Sequence, residues 1–131
     1  MNKATVFQIG NRLAQTMDRR DAFIQAWALV KKGGIELPVN GVSFGNRQTA
    51  LKRLAKYSPG QIKAVLVAEP ENKVDPTAVA VMVGVQNGRG LYRLGYVPRG
   101  MTTVIKAIGR QLPTLRVLNG DICGARLALT V

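Results

Sequence analysis

Histidine is absent from this sequence and cysteine occurs once, at Cys123. Neither an internal disulfide nor a Cys/His zinc site can therefore be built within one chain. The missing imidazole also removes the usual base of a hydrolytic triad. Acids are scarce: 7 Asp and Glu stand against 19 Lys and Arg, giving a formal charge of +12 and a sequence pI near 10.8. Such a chain repels itself and attracts polyanions, which puts nucleic acid ahead of acidic proteins or membrane surfaces as the expected partner. Long apolar runs are missing too. The stretch 78–85 is far too short to cross a bilayer, so no membrane association is expected. The opening MNKATVFQIGNRL lacks a secretory core and cleavage site, and Asp18 and Asp21 speak against an Arg-rich transit signal. A reducing, cytoplasmic location is the expectation, nucleoid-associated if the chain is bacterial. No cofactor is implied.

At 131 residues the chain has the usual size of one domain. From Gln15 to Lys32 apolar residues recur at helical spacing, with Met17, Ile24, Trp27 and Ala28 on one side and Phe23 and Val30 beside them. Thr16 or Asp18 can cap the start, and Gly33-Gly34 permits a left-handed stop. Trp27 reads as core rather than as a base-stacking platform, and Arg19 and Arg20 as a solvated face. Residues 35–44 read as extended. A short helix is expected over Gln48 to Lys56, with Ala50, Leu51 and Leu54 inward and Lys52, Arg53 and Lys56 gathered outside.

The rest is dominated by β-type runs: 61–68, 77–86, 92–97, 114–118 and 122–131, with a hairpin signal at Asn87-Gly88. The run of Val79, Val81, Val83 and Val85 alternates with Ala78, Ala80, Met82 and Gly84, so both its faces are apolar, as in a strand buried on both sides. Met101, Val104, Ile105, Ile108 and Leu112 mark an amphipathic helix over roughly Gly100 to Gln111. The expected class is α+β, mainly β: a small barrel or curled sheet with two short helices across its openings, plus the N-terminal amphipathic helix. The division expected is a helical extension over 1–36 and a β domain over 37–131.

The most informative segment is Glu69-Pro70-Glu71-Asn72-Lys73-Val74-Asp75-Pro76. Two prolines keep it out of a central ladder, and Asn72 and Asp75 are suited to bond nearby backbone groups, so it reads as a shaped loop. Three of the seven acids fall here, where they would repel phosphate. They therefore cap turns, bind a hydroxyl or hold a metal.

Five blocks, Gly41-Val42-Ser43-Phe44, Arg47-Gln48, Glu69 to Asn72, Asp75 to Val81 and Leu94-Gly95-Tyr96-Val97-Pro98-Arg99, resemble the HIRAN domain family in order and spacing. The resemblance covers roughly Val39 to Leu112 and is closer to stand-alone bacterial or phage members than to helicase-fused ones; the N-terminal helical segment lies outside it. It implies an OB-like β-barrel with two helices that receives the 3′-hydroxyl end of single-stranded DNA, in repair or replication restart, with any helicase or nuclease supplied in trans. It places Asn72 and Asp75 around the terminal nucleotide, where a carboxylate can accept a hydrogen bond from a terminal hydroxyl. Phe44 matches a ring that packs on a base, or is a core residue. Tyr96 matches a position near the nucleotide, or closes the barrel, and Arg99 would pair with phosphate. The chain departs from helicase-linked members at Val74, where they carry an aromatic, and at Ser43, where they carry a basic residue. Arg47, Lys73 and Lys52 supply positive charge nearby.

Two other functions compete. Glu71-Asn72-Lys73 imitates half of a metal-dependent nuclease site, but no acid lies between Glu36 and Glu69 to complete it, so no enzyme and no metal site are expected. The third possibility is a protein-interaction module, a homodimer through the N-terminal helix.

Overall fold

Two helices, not one, precede the first strand. The computed structural model describes residues 3–42, 46–88, 90–108, 113–118 and 123–130. In it α1 spans Lys3–Leu13 and α2 spans Arg19–Lys32. The expected helix starting at Gln15 is cut short because Asp18 serves as its N-cap, its carboxylate accepting from the backbone N–H of Arg20 at 3.1 Å and of Asp21 at 3.4 Å. Gly33 ends α2 at φ 80°, the left-handed stop that its lack of a Cβ permits.

The inward face of α2 is also different from the expected one. Ala22 and Ala26 are buried, whereas Trp27 is 47% exposed and Ile24 58%. Small residues win the interface because α1 comes close: a Cβ on Gly10 would lie 2.8 Å from the Phe23 ring. Val6, Ile9 and Leu13 of α1 pack there with Ala22, Ala26 and, from a later helix, Ala107.

β1 (Gly34–Pro38), β6 (Gly124–Thr130) and β5 (Thr114–Leu118) form one antiparallel sheet in the order β1-β6-β5. β2 (Ile62–Ala68), β3 (Val79–Val85) and β4 (Tyr92–Tyr96) form a second antiparallel sheet with β3 central. β3 is the strand with apolar residues on both faces, and Val79, Ala80, Val81 and Val83 are all buried. α3 (Arg47–Leu54) and α4 (Thr102–Ile108) complete an α+β fold of two three-stranded sheets and four α-helices among the described residues. Leu51 and Leu54 of α3 enter the main core with Leu37, Val81, Leu94, Leu115 and Leu127, drawn from both sheets. The expected inward Leu112 lies outside the described residues.

Among the described residues the sheets share no continuous ladder. One antiparallel bridge joins them: Asn40 and Tyr96 exchange both backbone hydrogen bonds at 2.9 Å, just after Val39 N–H has donated to Ala125 at 3.0 Å. The segment leaving β1 thus passes from one sheet to the other. Gly95 makes this possible, since a Cβ there would collide with the Asn40 carbonyl and lie 2.7 Å from Val39. Gln48 fastens α3 to the same region. Its amide donates to Val42 O at 3.0 Å and Cys123 O at 2.8 Å, and its carbonyl accepts from Cys123 N–H at 2.8 Å.

Candidate nucleic-acid interface

The loop from Glu69 to Ala78 continues the β2–β3 hairpin, with Glu69 N–H donating to Ala78 O at 2.9 Å. Prolines at 70 and 76 preclude further ladder bonds at those positions, so side chains shape its interior. The Asn72 carbonyl accepts from the backbone N–H of Val74 at 2.9 Å and of Asp75 at 3.0 Å, and its amide donates to Glu69 Oε1 at 3.1 Å. Asp75 Oδ1 accepts from Thr77 N–H at 2.9 Å and from the Thr77 hydroxyl at 2.6 Å. The turn-capping reading of these two residues is therefore correct as far as it goes, and it leaves Asp75 Oδ2 pointing to Arg99, whose Nε lies 3.3 Å away. Those Thr77 bonds, with Arg99 and Lys106 adding to them against a smaller effect of burial, hold the Asp75 carboxyl below its ordinary range.

Glu69 organises the loop against β4. It accepts from Arg93 at 2.6 Å and from the Tyr96 hydroxyl at 3.0 Å, besides the Asn72 amide. Burial pushes its carboxyl up, but these hydrogen bonds and the Arg93 charge outweigh that and leave it below its ordinary value. The Tyr96 hydroxyl is raised in turn, by burial and by donating to Glu69. A register shift opposite Val81 and Met82 leaves Leu94 as the extra residue of a bulge in β4. The Arg93 guanidinium lies 5.8 Å from the centre of the Tyr96 ring.

These contacts enclose a cleft of about 330 Å³ lined by Asn40, Asn72, Val74, Asp75, Ala78, Tyr96, Val97 and Arg99. Val74 stands 84% exposed at its rim, and the Arg99 side chain is 74% exposed. A neighbouring cleft of about 470 Å³ shares Arg99 and is lined also by Arg12, Thr77, Thr102, Lys106 and others.

Of the residues singled out from sequence, Asn72, Val74, Asp75, Tyr96 and Arg99 come together in one cleft. Lys73 is exposed on the same loop. Arg47 does not line the cleft: its guanidinium donates to Gly41 O at 2.7 Å, while its charge still acts on the Tyr96 hydroxyl. Ser43 and Phe44 lie outside the described residues. Sequence reasoning assigned no separate role to Glu69 or Asn40; the signal for Glu69 was its place as first residue of the acidic loop, and for Asn40 there was none. Among the described residues no group of three or more Cys, Asp or Glu side chains gathers as a metal site would require, and no helix is long and apolar enough to cross a membrane.

No protein-family model, curated protein or solved structure matches the chain.

Proposed function

We propose that the chain is a non-enzymatic single-stranded-DNA-binding module that seats a 3′-hydroxyl end in the cleft between the 69–78 loop and β4. The observation that carries this reading is the convergence of Asn72, Asp75, Tyr96 and Arg99 on one cleft, on a chain of net charge +12. A terminal hydroxyl donates to the Asp75 carboxylate, which an internal phosphodiester cannot do. Arg99 exchanges its contact with Asp75 for the adjacent phosphate, and Asn72 and Glu69 keep the loop in shape. The HIRAN resemblance names the same residues. The OB-like barrel belongs to the proposal as well, supported by the Asn40–Tyr96 bridge and by the approach of β2 to β5 at the opposite edges of the sheets. So does the division at residue 37, with a helical extension before it. Cytoplasmic residence and a helicase or nuclease acting in trans fit this role in repair or replication restart.

Asp75→Asn tests the reading. Asparagine keeps an acceptor for Thr77 but loses the charge that repels a terminal phosphate. The variant is expected to stay folded, to weaken binding of a 3′-hydroxyl strand and to strengthen binding of a 3′-phosphate strand. Equal affinities of wild type and variant for both strands would remove Asp75 from the site.

One observation favours a second reading. Phe7, Ile24 and Trp27 stand exposed on α1 and α2, as a surface joining two copies of the chain would. Light scattering of wild type and Trp27→Ser separates the cases: a dimer that the substitution dissociates supports the second reading, and a wild-type monomer removes it.

A further inference from the structure

A third, larger groove of about 710 Å³ lies between α3 and β4, lined chiefly by Arg47, Thr49, Arg53, Tyr92 and Arg93. Three of its lining residues are arginines and none is an acid. Arg53 has no acidic partner among the described residues, and Tyr92 presents an exposed aromatic ring beside it. Burial of part of that ring raises its hydroxyl, and the Arg53 charge works against the rise. The groove is connected to the cleft described above by one chain of hydrogen bonds: Arg93 lines the groove and binds Glu69, and Glu69 binds both Tyr96 and Asn72.

We infer that this groove carries the phosphodiester backbone of the same strand upstream of its terminus, with Arg53 facing phosphate and Tyr92 stacking on a base. The inference rests on the proposed function and extends it from one terminal nucleotide to a path along the protein. A groove of arginines without acids suits a polyanion, and an aromatic ring at its wall gives a base a face to stack on whatever its identity. Arg93 differs from Arg53 in that its charge is already matched by Glu69, whereas Arg47 is held on the Gly41 carbonyl and Arg53 makes no ion pair among the described residues. Arg53 and Arg47 thus supply charge not matched by an acid, and Arg53 is the one whose side chain no hydrogen bond anchors to the fold among the described residues. The strand therefore binds without sequence preference in the groove and is read only at its end.

The test is a titration of labelled single strands ending in 3′-hydroxyl or 3′-phosphate, at several salt concentrations, with wild type and the double variant Arg53→Gln, Tyr92→Ala. Both positions are exposed, and Arg53→Lys with Tyr92→Phe serves as a folded control that restores charge and ring. The double variant is expected to bind long strands about tenfold or more weakly, with a salt slope shallower by about 0.7 for each phosphate that is no longer neutralised. The affinity ratio between hydroxyl and phosphate ends, set in the cleft, stays as in wild type, and the conservative pair recovers the affinity. Wild-type affinity in the double variant overturns the inference and leaves the proposed function standing. A changed end ratio also overturns it, by placing these residues at the terminus. Failure of the wild type to bind any single strand overturns both.

Discussion

Replacing Glu69 with alanine removes the common acceptor of three side chains, Asn72 in its own loop and Arg93 and Tyr96 on β4. The Arg93 pair is short at 2.6 Å, but the Arg93 side chain is 48% exposed, so it counts as a surface ion pair worth about 0–1 kcal/mol. The Tyr96 hydroxyl and the Asn72 amide each lose a hydrogen bond to a carboxylate whose side chain is 17% exposed, at about 1 kcal/mol apiece. Loss of stability at neutral pH is therefore about 2–3 kcal/mol, a fall in Tm of about 7–11 °C for a chain of 131 residues. The pH dependence gives a sharper signature. The folded Glu69 carboxyl sits below its ordinary value, so its contribution is complete above the unfolded pKa and is lost as pH falls through the folded one. Urea denaturation across the acid range should show the gap between wild type and Glu69→Ala closing as pH falls, with the urea m-value unchanged. A gap below about 0.5 kcal/mol at neutral pH, or one independent of pH, would refute the argument that this network holds the loop to β4.

Gln48→Ala is expected to lower stability by about 2–4 kcal/mol in the same denaturation assay, because the buried N–H and C=O of Cys123 both lose their partner. Gly95→Ala is expected to cost about 1–3 kcal/mol or more by forcing β4 away from Asn40, and amide hydrogen exchange should show Asn40 and Tyr96 losing protection first. Val74→Tyr adds a ring at the exposed rim of the cleft and should tighten binding of a 3′-hydroxyl strand about five- to a hundredfold by stacking, read by fluorescence anisotropy; unchanged affinity would place the terminal base elsewhere.

β2, β3 and β5 were legible because each is a short run carrying β-branched residues between turn residues; 114–118 coincides with β5, and Leu51 and Leu54 occupy the inward positions expected of them. The helix α1 was not. Its inward residues Val6, Ile9, Gly10 and Leu13 follow helical spacing, but Gly10 in the middle weakens the pattern and is required by the ring of Phe23, a tertiary cause that no local signal carries. The face of α2 was misread for a related reason: hydrophobicity points to Trp27, whereas close helix approach selects Ala22 and Ala26. At the candidate site, Asn72 and Asp75 could be read as turn-shaping residues from their type and from the flanking prolines. The hydrogen bonds of Glu69 with Arg93 and Tyr96 span 24 and 27 residues and depend on the register of β4, including its bulge, so sequence spacing could not reveal them.

The most direct measurement is the affinity of the wild-type protein for one labelled single strand ending in 3′-hydroxyl, the same strand ending in 3′-phosphate, and the corresponding duplex, each at two salt concentrations. Tightest binding to the hydroxyl end, with the preference persisting at the higher salt, is the predicted result, because the role proposed for Asp75 is to accept from a hydroxyl and repel a phosphate. Equal binding to all three, falling together as salt rises, would contradict a site built for strand ends.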